Sequence, residues 1–338
     1  MGRSVNVGII GAGRIGRVHA ENLVYRVPDA RVVAICDVIE SAAQQCAARL
    51  GIASASGDHR AVLEDPAVEA VLICSSTDTH ARLIEEAAAA GKHIFCEKPI
   101  ALDLQRIDRA IQAADRAGVK LQIGFNRRFD PNFLRIRDAV ANGQIGKPHI
   151  LRITSRDPAP PPISYIRVSG GILLDMTIHD FDMAHYLIGS AIQEVYAVGG
   201  VLVDPAIGAA GDVDTAVVAL TFANGALGVI DNSRQASYGY DQRVEVFGSL
   251  GMIAAENNTP NRTILSDKDG VHSALPLHFF LERYTESYTA EMRAFVQCIQ
   301  EGTLPPVTGL DGRVPVVIGL AAAKSLAEHR PVQLTEIA

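Results

Sequence analysis

The chain has 338 residues, 31 Lys and Arg against 38 Asp and Glu, and a formal charge of −7. Its basic residues are spread thinly, with Arg127-Arg128 one of the few adjacent pairs, so it lacks the concentrated cations that a nucleic-acid-binding face needs to neutralise phosphates. With 48% hydrophobic and 20% charged residues it is an ordinary folded protein with buried cores, and its length predicts two domains at about 150 residues each.

No apolar run reaches the ~18 residues of a membrane helix; the strongest, 68–74, already contains Glu69. The apolar patch after Arg3 runs straight into a glycine motif without a cleavage site, so it is not read as a signal peptide. Met1-Gly2 fails as a myristoylation signal because position six is Asn6. Five cysteines without a C-x-x-C pair read as buried thiols in a reducing cytoplasm, and no zinc-ligand spacing is present.

The first 125 residues alternate apolar runs (5–10, 32–36, 70–74, 93–96, 120–125) with amphipathic segments such as 81–90 and 104–117, closed by Gly91 and Gly118. Near-continuous Val/Ile runs indicate strands buried on both faces. The expected fold is α/β: an N-terminal Rossmann doubly wound parallel sheet over 1–124. It is followed over 125–338 by an α+β domain for substrate and oligomerisation, with a large, mostly antiparallel, open-faced sheet.

In that second part, 132–141 reads as a helix and 149–155 as a strand, before a proline cluster (Pro158, Pro160, Pro161, Pro162) and a helix over about 176–187. Alternating strands fill 195 to about 271, with hairpin turns at Asn224-Gly225 and Asp269-Gly270. Two helices, roughly 287–300 and 311–328, close the chain, the second able to pack back on the first domain.

The first strand leads into Gly11-Ala12-Gly13-Arg14-Ile15-Gly16 and a helix. Gly11 permits the tight turn, Gly13 lets backbone approach a pyrophosphate, and Gly16 lets the helix pack closely, with free amides facing the phosphates. Asp37 ends the second strand about 20 residues beyond Gly16, where a carboxylate binds both ribose hydroxyls of NAD. A 2′-phosphate would meet that charge with no Arg at 38–40 to compensate, so NAD is favoured over NADP. Ser75, Ser76 and Thr77 fall at the C-terminal sheet edge, where ligands bind; Thr77 or Asp78 could equally cap a helix there. His80 either approaches the cofactor or lies on a helix surface.

Three further features converge: Glu97-Lys98-Pro99 after the fourth strand, Gly170-Gly171-Ile172-Leu173-Leu174-Asp175, and Met176-Thr177-Ile178-His179-Asp180-Phe181-Asp182. In wording and order, over nearly the whole chain, they resemble the glucose–fructose oxidoreductase/inositol dehydrogenase family (Gfo/Idh/MocA). The segments 124–130, 175–179 and 238–241 are most similar to its inositol 2-dehydrogenases. The resemblance implies a catalytic group of Lys98, Asp175 and His179, NAD as cofactor, and Glu97 and Lys98 near it. By match it implies a polyol held by Lys98, Arg127, Asp157, Asp175, His179, Tyr240 and Tyr288, with Tyr238 a weaker candidate. It also implies a homo-oligomer, dimer or tetramer.

The residues support that chemistry on their own terms. On a helix, Asp175 and His179 share a face with Asp182 one turn on, and a carboxylate beside an imidazole orients it and stabilises its protonated form. Such a histidine suits removal of an alcohol proton while hydride leaves the same carbon, and an ammonium at Lys98 suits the developing alkoxide. The three could instead be a cap, a core histidine and a surface lysine; a metal on Asp175, His179 and Asp182 is not expected, since hydride transfer needs none.

The resulting expectation is an NAD-dependent oxidation of a ring hydroxyl of myo- or scyllo-inositol to the inosose, in a cytoplasmic homotetramer of inositol catabolism, without nucleic-acid or membrane partners. The alternatives are a pyranose dehydrogenase of the same family and a non-catalytic NAD-binding sensor.

Overall fold

A computed structural model describes residues 3–337; Met1 and Gly2, on which the myristoylation reading rests, lie outside the described residues. The chain forms two compact units, 3–129 with 286–316, and 130–285 with 317–337. This division follows core packing rather than chain order. The helix Thr285–Glu301 supplies Met292, Phe295, Val296 and Cys298 to the cluster that buries Val5, Val7, Ile9 and Leu72 of the first sheet. A truncation such as Phe295→Ala there costs about 3–5 kcal/mol.

In the first unit, β1 (Val5–Ile10), β2 (Ala30–Cys36), β3 (Ser54–Ser56), β4 (Ala70–Ile73), β5 (His93–Glu97) and β6 (Leu121–Gly124) form one sheet in the order β3-β2-β1-β4-β5-β6. Every pairing is parallel. All four residues of β4, and four of the six in β1, are apolar and buried, as crossover helices on both faces require. The helices Arg14–Arg26, Glu40–Leu50, Thr77–Ala89 and Leu104–Ala117 make those crossovers. Strand order reverses between β1 and β4, so the loops after them, beside the end of β2, form the ligand-binding edge of such a sheet. The three-residue β3 escaped sequence reading because Ser54-Ala55-Ser56 has no apolar signature.

The second unit is built on a seven-stranded sheet in the order β12-β11-β7-β10-β9-β8-β15. Its strands are β7 (Pro148–Arg156), β8 (Ile192–Gly200), β9 (Thr215–Phe222), β10 (Leu227–Ser233), β11 (Asp241–Gly248), β12 (Gly251–Ala255) and β15 (Val332–Gln333). Only β7 and β10 pair in parallel; the turns at Asn224-Gly225 and, between β13 (Ile264–Asp267) and β14 (Gly270–Ser273), at Asp269-Gly270 make the expected hairpins. Alternation puts Val218, Leu220, Ile230 and Val246 in the core, at 1% exposure or less. Their outward neighbours Tyr196, Val198, Val217, Leu227 and Phe247 are apolar too, yet 39–54% exposed. A helix Ile163–Ser169 follows the proline cluster, a segment too short to show helical periodicity.

The closing helix, Gly309–Glu328, contributes its residues to 316 to the first unit and the rest to the second. No helix among the described residues is long and apolar enough to cross a membrane.

Candidate active site

In the first unit, the glycine loop has the geometry its spacing foretells. Gly11 has φ +107°, and a Cβ there would lie 2.6 Å from the Cys74 carbonyl carbon; one on Gly16 would lie 2.0 Å from the Gly11 oxygen. Neither position admits a side chain without moving backbone. A Cβ on Gly13 would meet nothing within 4 Å, so the start of the helix Arg14–Arg26 is open on that side. Gly13 occupies the cap position and offers no side-chain acceptor, which leaves first-turn amides for an anion. Asp37 lies against the same loop: its Oδ2 accepts from the Ala12 amide at 2.7 Å, and its Oδ1 from the Ile39 amide at 2.8 Å. An open glycine cradle with a carboxylate at the end of β2 fits the pyrophosphate and ribose of a dinucleotide.

At the end of β4 the helix Thr77–Ala89 begins with Ser76 at its cap position, without a side-chain cap bond. Neither Thr77 nor Asp78 is the cap, a correction to that alternative. Ser75 Oγ instead bonds Thr79 Oγ1 at 2.6 Å, and Thr79 Oγ1 donates to the Ser76 carbonyl at 2.7 Å. His80 is not on the surface. Its ring is fixed between the carbonyl oxygens of Pro99 (2.8 Å) and Ser75 (3.1 Å), and burial pushes its pKa down. It thereby ties the residue following Lys98 to the end of β4.

Lys98 is half-buried, directly after β5. Its neighbour Glu97 accepts a 2.7 Å contact from His19 Nε2, a ring wholly buried on the helix Arg14–Arg26 and packed edge-on against Phe95 and Tyr288. Nearby, Glu291 is 0% exposed; burial, with the charge of Glu97, pushes its carboxyl well above the usual range. Sequence reasoning missed both His19 and Glu291. The only signal was a polar residue inside an apolar helical face, which is ambiguous until its partner is known. Tyr288, expected in the second domain, belongs to the first unit, as does buried Arg127 in the turn Asn126–Phe129. Arg128 is held at 2.9 Å by Asp311, whose carboxyl burial raises but whose ion pair and Thr308 bonds draw down overall.

In the second unit, Asp175 and His179 do not lie on one α-helix. Asp175 sits in a π-helical turn, Ile172–Met176, closed by the Thr177 amide on the Ile172 carbonyl at 2.8 Å, and the α-helix carrying His179 begins only at Ile178. The wider turn changes the relative angle of the pair, and such turns recur at functional sites. Gly171 precedes it at φ +73°, and a Cβ there would also lie 2.7 Å from Asp212 Oδ1, so both backbone and space favour glycine. Asp175 Oδ1 accepts from Tyr165 Oη at 2.9 Å, and Oδ2 from Arg234 Nη1 at 3.4 Å. Asp175 and His179 are half-buried; Asp182 is buried at 1% exposure. Asn232, between the β7 and β9 edges, accepts from Thr177 and donates to Asp180, fixing the start of the His179 helix.

Asp157 follows β7, its amide on the Ser233 carbonyl and its own carbonyl on the Ala236 amide. Tyr240 is buried and meets Phe279 and Tyr284 edge-on, at 6.5 and 6.0 Å between centroids. Tyr238 donates to Asp241 and accepts from Arg156 within an ion-pair network with Asp231 and Arg243, so its hydroxyl is already engaged.

A six-stranded parallel sheet with an open glycine loop and Asp37 against it, in one chain with Asp175 and His179, fits the class of dinucleotide-dependent oxidoreductases. Residues 5–125 match the model of the oxidoreductase family with an NAD-binding Rossmann fold, and residues 133–254 that of the GFO/IDH/MocA C-terminal domain. The chain belongs to this GFO/IDH/MocA family of NAD-binding oxidoreductases. It is 55% identical to the myo-inositol 2-dehydrogenase of Thermotoga maritima over 98% of this chain and 99% of that one, and 46% identical to the inositol 2-dehydrogenase of Rhizobium meliloti over 98% and 99%. Among solved structures it is similar to a myo-inositol dehydrogenase from Corynebacterium glutamicum (39% identity, TM-score 0.93, 98% and 99% coverage). It is also similar to the scyllo-inositol dehydrogenase from Lactobacillus casei solved with NAD(H) and scyllo-inositol (29% identity, TM-score 0.92, 98% and 100% coverage).

Proposed function

We propose that this chain oxidises one ring hydroxyl of myo- or scyllo-inositol to the inosose, with NAD. The observation that carries the reading is the pairing, in one chain, of the open Gly13 cradle and Asp37 with the Asp175 turn that leads directly into the His179 helix. Gly11, Ala12, Gly13, Arg14, Ile15 and Gly16 hold the pyrophosphate, Asp37 the ribose, and Ser75, Ser76, Thr77, Glu97 and Lys98 the remainder of the nucleotide edge. His80 and His19 keep the ends of β4 and β5 in place.

NAD, when bound, supplies the hydride acceptor. The imidazole of His179 takes the hydroxyl proton of the substrate, oriented and charge-balanced by Asp175. The Lys98 ammonium binds the same oxygen and stabilises the negative charge that develops as the proton leaves. Arg127, Asp157, Tyr240 and Tyr288 bind the other ring hydroxyls. A polyol needs such a polar set because each unmet hydroxyl costs affinity.

The second unit, as substrate and oligomerisation domain, pairs copies of the chain through the apolar outward residues of its sheet, giving a homotetramer. Exposed apolar area of that kind on an open sheet is a recurrent interface. With five buried, unbridged cysteines the chain suits a reducing cytoplasm, in a catabolic role. The test is the initial rate of NAD reduction against myo-, scyllo- and chiro-inositol, glucose, galactose and xylose. An inositol preferred over every sugar is expected; a preferred pyranose, or no turnover across the panel, overturns the assignment.

A further inference from the structure

Arg234 follows β10 and is one of the largest wholly buried side chains, at 1% exposure. A buried guanidinium normally spends its five donors on carbonyls or a carboxylate fork, because an unmet buried donor is costly. Arg234 does not. Its Nε and Nη2 meet no hydrogen-bond partner among the described residues. Its two charged contacts are long ones, Nη1 to Asp175 Oδ2 at 3.4 Å and Nη2 to Asp212 Oδ2 at 3.7 Å. What the side chain contributes is therefore positive charge placed between two carboxylates rather than a directional fork.

Both carboxylates bear on the same π turn. Asp212 accepts from the Ile172 amide with both oxygens, at 3.1 and 2.9 Å, and so holds the turn's first residue; Asp175 is its fourth. Burial pushes the Asp212 carboxyl up, and the charge of Asp175 adds to that push while Arg234 opposes it. The hydroxyl of Tyr165, on a side chain 46% exposed, also donates to Asp175, and His179 stands four residues on in the following helix.

We propose that Arg234 is the positioning residue of the reaction: its buried charge clamps Asp212, which holds the first residue of the π turn, to Asp175, its fourth, and so fixes the carboxylate that supports His179. This rests on the assignment of Asp175 and His179 as the acid–base pair. Removing the cation takes away the charge that opposes the push of Asp175 on Asp212, and Asp212 then keeps its proton to higher pH. Replacing Asp212 by a neutral amide removes one negative charge and acts in the opposite direction.

The test is the pH profile of kcat with inositol and NAD, alongside the Asp212 carboxyl signal followed by carbon NMR on the full-length protein without substrate. Arg234→Gln is expected to lower kcat about 10- to 100-fold at neutral pH, less than loss of the acid–base group itself, and to move the acid limb and the Asp212 titration to higher pH. NADH affinity should be unchanged. Arg234→Lys restores the wild-type acid limb, since charge and not fork geometry is at work. Asp212→Asn moves the acid limb to lower pH. Because Arg234→Gln breaks a buried ion pair it can fail to fold, and Asp212→Asn with Arg234→Lys then decide. An acid limb that stays in place in Asp212→Asn, or an Arg234→Lys profile matching that of Arg234→Gln, overturns the proposal. A wild-type chain without inositol turnover overturns the functional reading instead, and the Asp212 titration still judges the clamp: it moves to lower pH in Asp175→Asn, and staying in place there overturns it.

Discussion

The nucleotide edge of the first unit and the Asp175 region of the second are built from different materials. The first is mostly backbone: a turn that only glycine can make, an open cradle at Gly13, and helix amides without a side-chain cap. The second is mostly side chains whose positions depend on one another: Asp175 on Tyr165 and Arg234, Arg234 on Asp212, and Asp212 on the backbone of the turn that carries Asp175. A backbone site is written in residue spacing and survives as a motif. A side-chain site is written in contacts between residues 10 to 59 apart in the chain, and tolerates few substitutions anywhere in its network.

If that contrast holds, substitutions in the two regions separate cleanly. The largest effect belongs to the acid–base group. Lys98→Ala or His179→Ala lowers kcat by about two to four orders of magnitude, while NADH affinity, read by fluorescence, stays near wild type in His179→Ala and falls in Lys98→Ala, whose side chain is also proposed to hold the nucleotide. Wild-type turnover in either variant would remove it from the mechanism. Next is Gly16→Ala, whose methyl cannot fit 2.0 Å from the Gly11 oxygen. It weakens NADH binding at least about tenfold, or destabilises the first unit by several kcal/mol on the scale of overpacking; unchanged affinity and melting temperature would show that the loop shifts freely.

Asp37→Ser has a smaller effect, about tenfold in the ratio of kcat/KM for NAD to that for NADP, toward NADP. An unmoved ratio would mean that Asp37 only braces the Ala12 amide. The smallest effect is on stability. Glu291 has its carboxyl raised well above 4.5 by burial and the charge of Glu97, so the folded chain binds its proton more tightly than the unfolded one. Its stabilising share is complete below about pH 4.5 and is lost as pH rises through the raised value. Glu291→Gln removes that slope above about pH 4.5 in urea unfolding, and an identical slope in both proteins would place the titration elsewhere.

The same contrast explains what could be read from sequence alone. Gly11 to Gly16, Asp37 and five of the six parallel strands were legible because apolar runs and glycine spacing are local. Lys98, Asp175 and His179 are singled out as a group only through family resemblance, since none of their spacings is distinctive. The π turn was not legible at all: the sequence places a helix only from about Met176, and nothing in Ile172 to Asp175 marks the turn until Asp212, forty residues on, takes the Ile172 amide. His19 and Glu291 escaped for the same reason, each being defined by Glu97, a residue remote in sequence. The helix Thr285–Glu301 was read correctly as a helix, but only its buried face shows that it belongs to the first unit's core.

The most direct test of the proposed chemistry is isotopic. Inositol carrying deuterium on its ring carbons is incubated with the protein and NAD, and the reduced nicotinamide is examined by mass spectrometry. Direct transfer predicts that each reduced cofactor carries one deuterium and that the inosose forms in equal amount. Reduced cofactor without the label, or inositol left intact beside bound NAD, would contradict it.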